Sequence, residues 1–324
     1  MKSGDWPWLA HAPLRFDRFM ELALHDPERG YYARRIRGVG KGGDFTTTPM
    51  LTPALGKAVA AWAKSALKES GCHDLIELGP GEGVLAESVT KAFPWWSKPQ
   101  LHLVEKSVPL REKQAARLGK RVTWHDTIES ALDACRGTAC IYTNEFADAF
   151  PVRRFRREES GWSELFLDPQ EVWQPCDALP ESSVFSLSFS PGQIVEVAES
   201  YHDWLRGWLS KWRAGRMLTI DYGTPVDTLY HRRPRGTVRA YFMQQRLEGP
   251  AIYQNPGRQD LTADVNFTDL QAWSAPQANT VKLMTQREFL LPHVDSANPA
   301  DAHAADANGA GSAFMVLEQV APSS

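Results

Sequence analysis

Residues 74–83, Asp-Leu-Ile-Glu-Leu-Gly-Pro-Gly-Glu-Gly, constrain this chain more than any other stretch. A short apolar run leads into glycines at alternate positions, Gly79, Gly81 and Gly83, and a segment of helical character, 84–92, follows at once. A backbone that turns sharply at a strand end and passes close to a flat polar ligand needs this composition, because a Cβ would block the approach. The spacing GxGxG is one residue shorter than the dinucleotide fingerprint GxGxxG, in which a pyrophosphate rests on the helix N-terminus. Either way the stretch asks for a strand-turn-helix unit of an α/β fold.

The segments that follow agree. Residues 100–104 read as a buried strand ending in Glu105. That acid stands about twenty residues beyond the glycine loop, where nucleoside-binding α/β folds place a ribose-binding carboxylate. A carboxylate accepts both ribose hydroxyl protons and turns away a 2′-phosphate, which favours adenosine over NADP. The plainer role for Glu105 is a first-turn acid of the amphipathic helix over 109–118; its place at a strand end favours the ligand. Further strands are expected over 122–124, ending in His125-Asp126, and over 139–143, ending in Asn144-Glu145-Phe146. Others are expected over 217–220, ending in Asp221-Tyr222-Gly223, and over 313–317. Strands that alternate with helices and close in polar residues indicate a parallel sheet with its site at the carboxyl ends.

Composition bounds the partners. The 324 residues suit a core domain with a sizeable insertion, and 43% hydrophobic with 23% charged residues is ordinary for a soluble globular chain. A formal charge of -3 gives no reason to expect nucleic acid or an anionic membrane as partner, and no apolar run is long enough to span a bilayer. The first residues carry neither a signal h-region nor the Arg-rich, acid-free helix of a transit peptide, so the expected location is cytoplasmic. Cys72, Cys135, Cys140 and Cys176 are too scattered for a disulfide scaffold, and none stands at zinc-finger spacing from a histidine. A reducing compartment and no structural metal are expected. Most of the tryptophans are expected in the core or lining a groove.

Around the core, the chain divides into an N-terminal extension (1–70), a first core half (71–150), an inserted hairpin and helix (151–213) and the remainder (214–324). Residues 14–25 have helical apolar spacing, 38–43 form a glycine-rich loop, and Thr52 with Pro53 opens a helix as N-cap and first-turn proline. Residues 152–157 and 162–167, about a Ser160-Gly161 turn, read as a β-hairpin. Glu158, Glu159 and Glu164 stand among its arginines, which favours a solvated face over an RNA strip. Tyr201, Trp204, Leu205, Trp208, Leu209 and Trp212 form one apolar helical face that ends at Gly215 as a C-cap. The loop-rich stretch 235–270 has the character of a lid or substrate loop, and the small, polar residues 293–311 are expected to be mobile.

Glu77 inside the strand before Gly79-Pro80-Gly81 resembles motif I of class I S-adenosylmethionine-dependent methyltransferases. Over nearly the whole chain the pattern is similar to one family of them, the MidA-type methyltransferases (the former DUF185 group), which includes a mitochondrial complex I assembly factor that methylates an arginine. The marks begin with His25-Asp26-Pro27, Gly30-Tyr31-Tyr32, and Gly43-Asp44-Phe45-Thr46-Thr47 with Pro49. They continue with Glu77 to Gly81, Val104-Glu105, and Asn144-Glu145-Phe146 with Asp148 and Pro151. Asp221-Tyr222-Gly223 and Asp260-Leu261-Thr262-Ala263-Asp264-Val265 complete them. The chain departs at Met50, where the family usually has Glu, and at Ala147-Asp148-Ala149-Phe150-Pro151, where it usually reads Phe-Asp-Ala-Leu-Pro. If the family's Glu seats the methyl acceptor, Met50 bears on the substrate and not on the cofactor; a neutral change at a helix start is the alternative.

The resemblance implies a Rossmann-like class I methyltransferase sheet with helices on both faces, and S-adenosyl-L-methionine as cofactor. It also implies methyl transfer to a protein side chain, arginine by family likeness. A small-molecule O- or N-methyltransferase and a non-catalytic cofactor-binding assembly factor are the competing readings, and a homodimer is among the assemblies left open. Gly79, Pro80, Gly81 and Gly83 are assigned to the cofactor's surroundings and Glu105 to its ribose, with Lys106, Thr127 and Asn144 in the same set. Asp126 is read as the acceptor for the adenine amino group or as the N-cap of the next helix, and Glu77 as an indirect holder of the amino-acid end or a structural group. The loop with Asp44, Phe45 and Thr47 would fold over the methionine end, with Phe45 excluding water; the alternative is only a turn.

A guanidinium acceptor needs carboxylates that orient it and hold its charge. Glu145 and Asp148 are the candidates, with Asp264 and Asp221 behind them, and Asp148 is read equally as a cap of the turn before Pro151. Asn144-Glu145-Phe146 is not the Asn/Asp-Pro-Pro-Tyr/Phe signature of DNA and glutamine N-methyltransferases, which disfavours that class. His25 and His125 read as surface or packing residues before general bases, because an arginine can lose its proton late.

Overall fold

The computed structural model describes residues 13–32, 52–119, 121–295 and 297–322, in two compact units. One is built from 52–146, 205–223 and 271–322, the other from 13–32, 147–204 and 224–270. Asp44, Phe45, Thr47 and Met50 lie outside the described residues.

The first unit carries the expected sheet. Its strands are β1 (Asp74–Leu78), β2 (Gln100–Val104), β3 (Val122–His125), β4 (Cys140–Asn144), β5 (Arg216–Thr224), β6 (Asn279–Thr285) and β7 (Phe314–Val320). They lie in the order β3-β2-β1-β4-β5-β7-β6. Strands β1 to β5 are parallel, and β7 runs antiparallel between β5 and β6. The connections reverse direction between β1 and β4, so the carboxyl ends of these neighbours flank a topological switch point, where open α/β sheets bind ligands. Leu75, Ile76 and Leu78 of β1 are at most 2% exposed, as a parallel strand covered on both faces requires.

Helices α1 (Pro53–Ser70), α2 (Val84–Lys91), α3 (Val108–Leu118) and α4 (Ile128–Ala134) belong to this unit. Leu55, Val59 and Ala66 of α1 share one core with Leu85 and Val89 of α2 and with Leu75 and Leu103 of the sheet. The Thr52 hydroxyl caps α1, accepting from the Ala54 amide at 3.1 Å, and donates to fully buried Asp301. Asp301 stands in a helix, Pro299–Ala304, and accepts from the Asp295 amide at 3.0 Å. The described residues of 293–311 therefore include a capped helix whose Asp301 is fully buried. Strand β6 escaped the sequence reading because Asn279 to Lys282 are exposed and Met284 is its one buried residue, which leaves no alternation to detect.

The tryptophan-rich helix spans Glu199–Trp208 and continues in a 3-10 turn, Leu209–Lys211. Gly215 is not its C-cap. With φ of +128°, a Cβ there would stand 1.9 Å from the Ala139 carbonyl oxygen, so glycine lets the chain enter β5 against the start of β4. The Trp212 indole donates to that same oxygen at 2.9 Å. Trp95 and Trp96 are exceptions to the burial expected of tryptophan, 77% and 72% exposed.

In the second unit, the expected hairpin, Arg153–Arg157 with Trp162–Asp168, is joined by Leu14–Arg15, Gln170–Pro175 and Ile194–Val197 into a five-stranded sheet. Its arginines are not all on a solvated face. Arg153 and Arg154 are buried; Arg153 forks onto Glu164 at 2.7 and 2.8 Å, and Arg154 meets Glu196 at 3.2 Å. A buried guanidinium persists only when paired in this way. The stretch 235–270 is not irregular either: Arg239–Phe242 pairs antiparallel with Gln245–Leu247 and with Asp260–Thr262, and Ala240 and Leu261 are buried. These strands are too short to set up a readable period.

Candidate cofactor site

At the end of β1 the chain turns through Gly79, Gly81 and Gly83 with φ of +61°, +53° and +77°, left-handed conformations that other residues adopt at a cost. The Gly79 amide donates to the Val104 carbonyl at 3.1 Å and the Gly83 amide to the Pro80 carbonyl at 2.8 Å, which closes the turn. Part of the demand for glycine is internal packing. A Cβ on Gly79 would stand 2.7 Å from the Phe146 ring, and one on Gly83 would meet Leu118 and Gln114 at 3.3 and 3.4 Å.

Glu105 follows β2. One carboxylate oxygen accepts from the Ser107 amide at 2.8 Å, and the other is 3.5 Å from the Gln114 amide nitrogen. Burial holds its pKa above the usual carboxylate range against these bonds. Gln114, fully buried, also donates to the Gly81 carbonyl at 2.7 Å and accepts from the Trp124 indole at 2.8 Å. It therefore ties the glycine loop to the ends of β2 and β3. The sequence reading passed over Gln114, although it occupies the buried stripe of α3 between Leu110 and Leu118, where a polar side chain needs a reason.

Asp126 and Thr127 follow β3. The Asp126 side chain is 79% exposed and pairs with Arg111 at 2.7 Å, while the Arg111 Nε donates to the Glu105 carbonyl at 2.6 Å. Thr127, and not Asp126, caps α4, accepting from the Ser130 amide at 3.3 Å. Lys106 is exposed. Glu77 lies buried within β1 beside Tyr142 of β4 and accepts from its hydroxyl at 2.7 Å. Burial pushes the Glu77 carboxyl up to about 8, which accords with the structural alternative for this residue.

The turn after β4 is the most constrained of the set. Glu145 adopts φ of +53° without being glycine, a conformation that costs of order 1 kcal/mol or more and persists only where the surroundings enforce it. The Glu145 amide donates to the Ile220 carbonyl at 3.0 Å, and the Phe146 amide to an Asp221 carboxylate oxygen at 3.0 Å. The other Asp221 oxygen accepts from the Tyr222 amide at 2.9 Å, and the residue is fully buried. Asp221 is thus committed to holding this turn, a different task from orienting an acceptor. The Asn144 amide donates to Glu145 Oε1 at 3.0 Å, whereas the buried Asn144 Oδ1 has no hydrogen-bond partner among the described residues.

Asp148 belongs to the second unit, buried in a 3-10 turn, Ala147–Ala149. Its carbonyl accepts from the Ala263 amide at 3.0 Å. In the same unit the Tyr32 hydroxyl donates to Asp260 at 2.8 Å. Burial, then the charges of Asp260 and Asp148, holds that hydroxyl well above its usual pKa. Asp264 is ion-paired with both Arg233 and Arg239. His25 is exposed and stacks on Tyr32, and His125 is hydrogen-bonded to His102.

The sheet unit fits an adenosine cofactor on its own observations. Three left-handed glycines shape the end of β1, Glu105 is a desolvated carboxylate with few donors at the end of β2, and Asn144 presents an unsatisfied buried oxygen at the end of β4. A family model described as "Putative S-adenosyl-L-methionine-dependent methyltransferase" matches residues 54–284. The protein named "Protein arginine methyltransferase NDUFAF7, mitochondrial" of Danio rerio is 29% identical over 331 residues, covering 87% of this chain and 73% of that one. Its Homo sapiens counterpart is 27% identical over 329 residues, covering 86% and 69%. A COG1565 superfamily member from Burkholderia thailandensis, crystallised bound to S-adenosyl-homocysteine, superposes with a TM-score of 0.83 at 25% identity, over 95% of this chain and 87% of that one.

Proposed function

The chain belongs to the S-adenosyl-L-methionine-dependent methyltransferase family whose model it matches, and from that premise we propose that it methylates an arginine side chain of a protein. The observation that carries this is the Asn144-Glu145-Phe146 turn: a carboxylate held in a strained backbone at the carboxyl end of β4, beside the glycine loop. Strain of this kind gathers where a side chain must be aimed. The arginine-methyltransferase names of the relatives support the acceptor.

Bound S-adenosyl-L-methionine supplies a methyl group activated by its sulfonium. With the cofactor bound, Glu105 would accept from the ribose hydroxyls, while Gln114 holds Glu105 and the Gly81 carbonyl in one register. Asp221 keeps the Glu145 turn from relaxing. Glu145 pairs with the guanidinium through charge-assisted hydrogen bonds and keeps its positive charge in place. As the new bond to a guanidinium nitrogen formed, the methyl–sulfur bond would break and S-adenosylhomocysteine would leave; the nitrogen's proton would then pass to solvent, so no strong base is required. Positioning, which can account for many kcal/mol of a barrier, is the protein's main contribution. Asp148→Asn is measured in the same assay as a separate candidate.

Our reading is a cytoplasmic enzyme; the relatives named above are called mitochondrial, and cell fractionation separates the two.

The test is methyl transfer from labelled S-adenosylmethionine into a lysate from cells lacking the protein, followed by acid hydrolysis and amino-acid analysis. Label in methylarginine, falling at least about tenfold with Glu145→Gln, is the expected result. Label confined to small molecules would instead identify a metabolite methyltransferase, and cofactor binding with no labelled acceptor a non-catalytic factor.

A further inference from the structure

A second group of chemistry-bearing side chains lies in the sheet unit, away from the glycine loop. Asp74 opens β1, whereas the loop leaves the far end of that strand, about 13 Å away at the rise of an extended chain. His102 is the middle residue of β2, and Cys135 directly follows α4. One ligand atom from each of the three lies within 4.8 Å of the other two. His102 Nε2 is 3.0 Å from Asp74 Oδ1, and its Nδ1 is 2.9 Å from His125 Nε2. His102 and Cys135 are buried, while the Asp74 side chain keeps 27% exposure and gives an ion a way in.

We propose that Asp74, His102 and Cys135 bind one divalent transition-metal ion of the zinc class, with water in the fourth position. Imidazole, thiolate and carboxylate together are the donors of zinc sites, and a hard ion such as Mg²⁺ or Ca²⁺ would not select a thiol. Bonds of roughly 2.0–2.3 Å set tetrahedral donors about 3.5 Å apart, so no pair here has to draw in by more than about 1.3 Å. His125 holds the far nitrogen of the His102 ring, the outer-shell contact that fixes the orientation of a ligating imidazole. One thiolate and one carboxylate cancel the charge of a dication, so the filled site is neutral, as a buried site must be. A cysteine binds a metal as thiolate and gives up its thiol proton. Binding at neutral pH therefore releases that one proton to solvent as the sulfur–metal bond forms.

Sequence spacing hid this site, because its residues come from two strands and a helix end far apart in the chain. It is independent of the identity of the methyl acceptor. The competing arrangement is a hydrogen-bonded Asp74–His102–His125 chain without an ion, in which the Cys135 thiol donates to Asp74.

The test is a Co²⁺ titration of the full chain after chelator dialysis, in weak buffer, followed by Zn²⁺. One cobalt per chain is expected, with a sulfur-to-cobalt charge-transfer band, the visible absorption of four-coordinate cobalt, release of one proton, and bleaching by Zn²⁺. Cys135→Ser should abolish the charge-transfer band, His102→Gln should weaken binding at least about tenfold, and Cys176→Ser should change nothing. Circular dichroism checks that each variant folds; if His102→Gln does not, Cys135→Ser decides alone. Absence of stoichiometric binding, or a band that survives Cys135→Ser or disappears instead in Cys72→Ser, overturns the proposal.

Discussion

Between the Ser107 amide and Gln114, the Glu105 carboxylate holds acceptor capacity that its protein neighbours only partly use. Two ribose hydroxyl bonds to a carboxylate set the cost of removing it. Glu105→Ala should weaken S-adenosylmethionine by about 2–3 kcal/mol, or roughly 30- to 150-fold in Kd by calorimetry, with little change in unfolding midpoint. Gly79→Ala should behave differently: its backbone is left-handed and its Cβ meets the Phe146 ring. A stability loss of about 1–3 kcal/mol in urea should accompany the loss of binding. Glu77 gives a pH signature. Its carboxyl is held up to about 8 from an ordinary 4.5, so between these values the folded chain retains a proton that the unfolded chain has lost. The stability this contributes is complete below 4.5 and is lost as pH rises through about 8, by at most about 1.4 kcal/mol per pH unit. Urea melts of Glu77→Gln should lack that decline; an unchanged slope would remove Glu77 as its source. At this scale the left-handed glycines and the place of Glu105 at the end of β2 were legible, because a tight turn and a strand end restrict residue type. Gln114 and the turn-holding role of Asp221 were not, since their partners are brought together only by the folded sheet.

Helix α1 shows what an element-level signal carries. Thr52 and Pro53 mark its start in the sequence, and the structure adds the bond from Thr52 to buried Asp301 across the unit. Thr52→Ala should cost about 1–2 kcal/mol, seen as a lowered melting temperature, because it removes a cap and one partner of a buried carboxylate. Thr52→Ser should recover most of it. The strands β1 to β5 were legible because parallel strands are continuous apolar runs closed by polar residues. Strand β6 was not, since an exposed edge strand has no buried face to betray it. The arginines of the hairpin misled for a related reason: alternation places Arg153 and Arg154 without saying that Glu164 and Glu196 will neutralise them in the interior.

For the molecule as a whole, a parallel sheet with its site at the carboxyl ends follows from the sequence of α/β segments, whereas the strand order does not, nor does the assembly of the second unit from three separate stretches of chain. No local pattern announces that kind of assembly, because its sheet depends on pairings between residues as distant as Leu14 and Leu167. A cofactor that binds only the folded state stabilises it by mass action, by about 2.7 kcal/mol at a hundredfold excess over Kd, so S-adenosylmethionine should raise the unfolding temperature and should fail to do so in Glu105→Ala. The most direct measurement is calorimetric titration of the purified chain with S-adenosylmethionine, S-adenosylhomocysteine and NAD, repeated on Gly81→Val and Glu105→Ala. Binding of the two sulfur nucleosides alone, lost or sharply weakened in both variants, is the predicted result. No binding of either by the unmodified chain, or equal binding of NAD, would contradict the assignment of this site.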